Sequence, residues 1–151
     1  MSVIMPRLVV DGNFYNFALL NQHFFMIEIN KQIDYWVKGA YSDIETAELL
    51  LTGKKYIEGL FFCHLTIEKI LKALVVKNTG QLAPKSHNLI HLCEIANIKL
   101  SDNNTLFMPV LMKYQLEGRY PEYFPKAPSN ETVNDYLCKT KTLLECLKQM
   151  L

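Results

Sequence analysis

The stretch Tyr56–Lys77, YIEGLFFCHLTIEKILKALVVK, decides the fold. Tyr56, Leu60, Cys63, Ile67, Leu71 and Leu74 recur every three or four residues, the spacing of one buried helix face. Ile57, Phe61, Leu65 and Val76, with Phe62 nearby, run down neighbouring angles. The apolar arc is therefore wider than the roughly 100° stripe of a surface helix. Glu58, Glu68, Lys69 and Lys72 fill the narrow remainder, which the pattern places in water. Such a helix spans roughly 30 Å and belongs at the centre of a bundle.

Other helices can be read around it. Ile33, Trp36, Val37, Ala40, Ile44, Ala47 and Leu51 share one face of a segment running from Glu28 to about Leu51. Asp34 and Lys38 on its outer side have the spacing of a favourable i,i+4 ion pair. Thr52-Gly53 predicts a cap with glycine in the left-handed conformation. So short a connection makes the two long helices an antiparallel hairpin. Asn78-Thr79-Gly80 ends the central helix, and Ser86 is the expected N-cap of a short helix over His87–Ala96. Asn97–Asn104 reads as a turn. Leu106, Val110, Leu111 and Tyr114 predict a fourth helix with Pro109 near its start. A last helix opens at Ser129 or Asn130, with Val133, Leu137, Leu144 and Leu147 inward. The expectation is an all-α, up-and-down bundle of four to five helices over residues 28–151, without paired strands. Residues 1–27 read as an N-terminal appendage, either extended around Asp11-Gly12 or helical from near Asn16.

Composition narrows the function. The 151 residues suit one domain, half of them are hydrophobic, and the formal net charge is only +1. A nucleic-acid surface would therefore be a local patch and not a global field. Arg7 and Arg119 are the two arginines of the chain. The four cysteines have no C-x-x-C spacing and read as reduced thiols, which points to the cytoplasm. No apolar run reaches the length of a membrane span, and no signal peptide or membrane association is expected.

Several chemistries lack their residues. Gly53-Lys54 has Glu48 where a P-loop needs glycine and Lys55 where it needs Ser or Thr, and there is no G-x-G-x-x-G. No Glu-x-x-His, G-x-S-x-G or H-E-x-x-H occurs. His87, His91 and Glu94 could share a helix face, but without a fourth ligand no metal site is assigned, and no cofactor is expected. His64, inside the central helix, reads as an interface or half-buried residue.

Four short motifs occur in a familiar order. They are Ser42-Asp43-Ile44-Glu45-Thr46-Ala47-Glu48-Leu49-Leu50 before Gly53 and Tyr56, Ile67–Leu74, Ser86-His87-Asn88-Leu89, and Arg119-Tyr120-Pro121. Over residues 28–151 the chain resembles the HEPN domain family. The resemblance implies a bundle of four or five helices that forms homodimers, functions around nucleotides and RNA, and a minimal nucleotidyltransferase as partner, in some cases as a toxin–antitoxin pair. Catalytic relatives are metal-independent ribonucleases that use an arginine followed, four to six residues on, by a histidine. After Arg119 those places hold Phe124, Pro125 and Lys126, and after Arg7 they hold Gly12, Asn13 and Phe14, so no catalytic residues are assigned.

The leading expectation is a non-catalytic binding module. Arg119 would hold phosphate in bidentate fashion, and Tyr120, Tyr123 and Phe124 would stack a base. Lys69 and Lys72, with His87, would add to the nucleotide site. The alternatives are a metal-independent endoribonuclease toxin whose displaced histidine is His87 or His64, and a purely structural dimerisation domain.

Overall fold

The structure, a computed structural model, describes residues 7–10, 13–117 and 126–151. Strands β1 (Arg7–Val10) and β2 (Asn13–Asn16) are followed by α1 (Phe17–Thr52), α2 (Tyr56–Thr79), α3 (Leu89–Ile95), α4 (Asp102–Glu117) and α5 (Asn130–Lys148). The architecture is an all-α bundle, as the periodicity predicts.

The α2 helix is its axis. Its apolar face meets α1, α3, α4 and α5, and Leu60, Cys63, Ile67, Ile70, Leu71 and Leu74 are completely removed from solvent. The α1–α2 contact is close: a Cβ on Gly59 would stand 2.3 Å from Leu51 Cδ2 and 3.3 Å from the Ala47 carbonyl oxygen. The missing side chain lets the two helices approach. Polar ties then fix α5, where Tyr41 Oη donates to Glu145 Oε1 at 2.9 Å and Tyr56 Oη donates to Asn130 Oδ1 at 3.0 Å.

Helix ends account for most departures from the sequence reading. The left-handed residue between α1 and α2 is Lys54, with φ of 60°, and not Gly53. The Gly53, Lys54 and Lys55 amides close back onto the Leu49, Leu51 and Leu50 carbonyls, so the chain reverses one residue later than expected. Gly80 does take the left-handed conformation, with φ of 66°, and its N–H closes onto Val76. Asn88, not Ser86, caps α3: its side chain accepts from the His91 N–H while Ser86 Oγ accepts from Asn88 N–H. Ser129 caps α5 by accepting from Thr132 N–H.

The α4 helix begins at Asp102, inside the segment read as a turn, because Ser101 Oγ accepts from the Asn104 N–H and supplies a cap. Pro109 thus lies inside the helix rather than near its start. The carbonyl it leaves unpaired belongs to Thr105, and both residues are exposed, so water can satisfy it. Leu106 is 73% exposed, and Phe107 and Met108 fill the core position in its place.

The first helix differs most from expectation. It runs unbroken from Phe17 through positions 27 and 28, choosing the helical reading from near Asn16. The extended reading holds upstream, where β1 and β2 pair antiparallel with Arg7 opposite Asn16 and Val10 opposite Asn13. A strand pair therefore exists, contrary to expectation, as a small terminal hairpin that leaves the fold class unchanged. Asp11 and Gly12 lie outside the described residues.

Candidate functional site

The α1–α2 hairpin packs its apolar faces inward, and the edge of the contact carries an unusual set of polar side chains. Glu68, expected on the wet strip of α2, is buried at 3% exposure, and Lys72 at 6%. The correction has a physical cause. Trp36 of α1 lies against this strip, with Lys72 Nζ 5.0 Å from the centre of its ring, in the range of a cation–π contact.

Glu68 collects three nitrogens. Lys72 Nζ donates to Oε1 at 2.7 Å, His87 Nδ1 stands 3.0 Å from Oε2, and His64 Nε2 lies 3.3 Å from the same oxygen. Burial alone would raise the Glu68 pKa; the close His64, Lys72 and His87 nitrogens, with the Lys72 charge, outweigh it and hold the carboxyl at about 2. Glu68 is ionised at neutral pH and can only accept. The nitrogen of His87 facing an acceptor-only carboxylate must therefore carry a proton, and Nε2 is the ring nitrogen turned away from Glu68. The His87 side chain is 47% exposed, so the dyad reaches solvent through this imidazole.

His64 is wholly buried and not the half-buried or interface residue expected. No substrate touches it without unfolding α2. Among the described residues neither His64 nitrogen, nor the buried Trp36 Nε1, makes a well-directed hydrogen bond.

At the next residue of α2, Lys69 Nζ pairs with Asp43 at 2.6 Å, with 28% and 10% of the two side chains exposed. Burial raises the Asp43 pKa, the Lys69 hydrogen bond and charge act against it, and the Glu68 charge adds to the rise. Lys69 also borders a shallow groove with Tyr35, Lys38, Gly39 and Ser42. Tyr35 is 65% exposed and meets Trp36 edge to face at 5.0 Å. The i,i+4 spacing predicts that Asp34 pairs with Lys38; among the described residues Lys38 has no ion-pair partner. Its side chain lines the groove.

Of the expected nucleotide-site residues, Lys69, Lys72 and His87 do converge, around Asp43 and Glu68. Arg119, Tyr120, Tyr123 and Phe124 lie outside the described residues. Sequence reading did not single out Tyr35, Trp36, Lys38 or Asp43 as candidates, and took Glu68 only as a polar member of the strip. The available signal was the period shared by Tyr35, Lys38 and Ser42, whose spacing of three and four sets them on one side of α1.

Other chemistries find little support. His87 turns to Glu68 whereas His91 Nδ1 faces Glu94 Oε2 at 3.5 Å, so the pair does not converge. Among the described residues no group of three His, Cys, Asp or Glu side chains is arranged to hold a metal. All four cysteines are free. Burial above all, with the Thr140 hydrogen bond acting against it at Cys63 and the Glu94 charge adding to it at Cys93, pushes Cys63 up to about 12 and Cys93 up to about 11, leaving both protonated and poorly nucleophilic at neutral pH. Among the described residues no helix is long and apolar enough to cross a membrane.

Residues 33–150 match the HEPN domain family. The chain is a HEPN domain protein. Two solved structures share its fold. One is TT1696 from Thermus thermophilus, with a TM-score of 0.67 and 19% identity over 80% of this chain and 98% of that one. The other is ST0689, an archaeal HEPN homologue, with a TM-score of 0.60 and 22% identity over 78% of this chain and 96% of that one. No curated protein matches the sequence. The family match opens at residue 33, so the first 16 of the 36 residues of α1 precede it.

Proposed function

We propose that this HEPN protein is a binding module for a nucleotide or an RNA end, with its site on the α1–α2 hairpin edge. The observation that carries the reading is the groove of Tyr35, Lys38, Ser42 and Lys69. It joins an exposed ring that can stack a base to an ammonium with no ion-pair partner among the described residues, a hydroxyl and a second, half-buried lysine, a combination suited to a base with its phosphate. Lys72 plays a different part from the one its sequence suggested. Its charge is committed to Glu68 and Trp36, so it supports the site from beneath. Arg119, Tyr120 and Tyr123 keep the role their chemistry gives them, as a bidentate phosphate ligand and two stacking rings. The family resemblance speaks for a minimal nucleotidyltransferase as protein partner, in a toxin–antitoxin-like pair.

Titration of the purified protein with fluorescent ATP and with a short labelled single-stranded RNA tests the reading. Saturable binding that weakens about tenfold or more in both Tyr35→Ala and Lys38→Ala is expected, since one stacked base contributes roughly 1–3 kcal/mol. Binding that survives both substitutions and is lost only with Arg119→Ala would move the site off the hairpin edge.

A second reading is favoured by one specific observation, the contact between His87 Nδ1 and ionised Glu68 at 3.0 Å. A solvent-facing imidazole oriented by a buried carboxylate has the arrangement of a general base, and it suits the metal-independent endoribonuclease with a displaced histidine. RNA incubated with the protein in excess chelator would be cut, and the cutting lost in His87→Ala. RNA that stays intact under these conditions removes this reading and leaves the binding module.

A further inference from the structure

Where α3 ends, the chain turns back on itself. Asn97 takes the left-handed conformation, with φ of 52°, and the Asn97 and Ile98 amides close onto the Glu94 and Cys93 carbonyls. Beyond the turn, Ile98 and Leu100 are half-buried against the core while Lys99 between them is exposed, the alternation of an extended chain. This segment, α3 and the first two turns of α4 border a cavity of about 320 Å³. That is the small end of the roughly 300–1,000 Å³ range of small-molecule sites.

The walls divide by chemistry. Ile90, Cys93, Ile98, Leu100 and Met108 form the apolar part. Met108 is buried and Ile90 is 40% exposed, so the cavity has a closed end and an open one. Cys93 stays protonated and adds no charge. The polar part is Glu94, Lys99 and Thr105. Among the described residues Lys99 has no ion-pair partner, and the exposed Glu94 carboxylate faces His91 Nδ1 alone, at 3.5 Å. Two opposite charges therefore border one cavity without pairing with each other. Thr105 Oγ1 donates to the Ser101 carbonyl at 3.1 Å, so towards a ligand its oxygen can only accept.

We propose that this cavity binds a free α-amino acid with an aliphatic side chain of about the size of leucine. Its ammonium meets Glu94 and Thr105, its carboxylate meets Lys99, and its side chain lies among Ile98, Leu100 and Met108. Charge complementarity selects this class. A carboxylate without an amine would bring like charge to Glu94, and an amine without a carboxylate would leave Lys99 unanswered. A nucleotide would place phosphate beside Glu94 and find no aromatic ring in the lining to stack its base.

Isothermal titration calorimetry of the full chain with L-leucine, joined to amide nuclear magnetic resonance spectra, tests the proposal. For a ligand of about nine non-hydrogen atoms, saturable binding with a Kd between about 10 µM and 1 mM is expected, with shifts at the Ile98 and Leu100 amides. L-Alanine, which lacks about three of the apolar carbons, is expected to bind about 50-fold more weakly. Isocaproate and isoamylamine, each missing one charge, are expected to bind about tenfold more weakly or worse, as is leucine to Lys99→Ala and to Glu94→Gln. Both replaced side chains are exposed, so the variants keep the packing of the bundle. The absence of saturable leucine binding at about 20 mM, well above the Kd expected for so small a ligand, overturns the proposal. Isocaproate or isoamylamine binding as tightly as leucine also overturns it, as does leucine binding that survives both substitutions. No cavity residue belongs to the Tyr35–Lys38 groove, so amino-acid binding and nucleotide binding stand or fall separately.

Discussion

Two acid–lysine pairs on the hairpin have the same i,i+4 spacing and the same order, and opposite fates. Glu68 and Lys72 on α2 meet at 2.7 Å with under a tenth of either side chain exposed. Asp34 and Lys38 on α1 are exposed, and no ion pair joins them among the described residues. Spacing alone offers both the same few tenths of a kcal/mol. The difference comes from what lies over them. Trp36 covers Lys72, the His64 and His87 rings stand against Glu68, and a desolvated carboxylate must take every donor within reach. Water does the same service for Asp34 and leaves Lys38 free. One pair builds structure, and the other leaves a charge available to a ligand.

Breaking the buried pair therefore has the largest expected effect. Glu68→Ala strands the Lys72 ammonium beneath Trp36 and costs roughly 3–5 kcal/mol, measured by urea unfolding, whereas Asp34→Ala stays within about 0.5 kcal/mol. Equal losses in the two variants would dissolve the contrast. Acid sharpens it further. The Glu68 carboxyl is held at about 2 against an ordinary 4.5. Its stabilising contribution is thus present above pH 4.5 and lost as the pH falls through that value toward 2. The shift corresponds to roughly 3 kcal/mol. The stability gap between wild type and Glu68→Gln is expected to narrow over this window, and a constant gap would show that the carboxylate charge is not what holds the cluster.

The contrast also explains how far the sequence could be read. Ala40, Ile44, Ala47 and Leu51 face α2 as their period predicts, because apolar burial follows spacing alone. Glu68 and Lys72 were legible as a polar strip but not as a buried one. Which helix turns its Trp36 onto that strip depends on the hairpin register, and register depends on Gly59 and on the exact residue where the chain reverses. Helix ends show the same limit. Asn88 displaces Ser86, and Ser101 starts α4 early, because competing Ser and Asn side chains lie within a turn of each other and local propensity does not rank them. Lys38 was legible as a residue, yet its freedom was not, since the expected partner stands at the right spacing.

That register can be attacked directly. Gly59→Ala puts a methyl 2.3 Å from Leu51 Cδ2, so the helices must part or Leu51 must change rotamer. A loss of about 1–3 kcal/mol is expected, with a weaker Lys72–Trp36 contact seen as a change in Trp36 fluorescence. An unchanged spectrum and stability would mean that hairpin approach does not set the buried cluster. At the reversal itself, Lys54→Gly removes the steric strain of a left-handed non-glycine residue and is expected to raise stability by roughly 1 kcal/mol in thermal unfolding.

The smallest effect on stability tests the other half of the comparison. Lys38 makes no ion pair among the described residues and is exposed, so Lys38→Ala is expected to move the unfolding free energy by less than about 0.5 kcal/mol. It should nevertheless weaken nucleotide binding, and the weakening should shrink as salt rises from about 50 to 500 mM, because an exposed charge is screened over roughly a Debye length. Asp34→Ala should act in the opposite direction, strengthening binding at low salt by removing the competing carboxylate four residues away. If Lys38→Ala destabilises the fold as much as it weakens binding, then Lys38 is engaged after all. In that case burial would not be what separates the pair that builds structure from the pair that leaves a free charge.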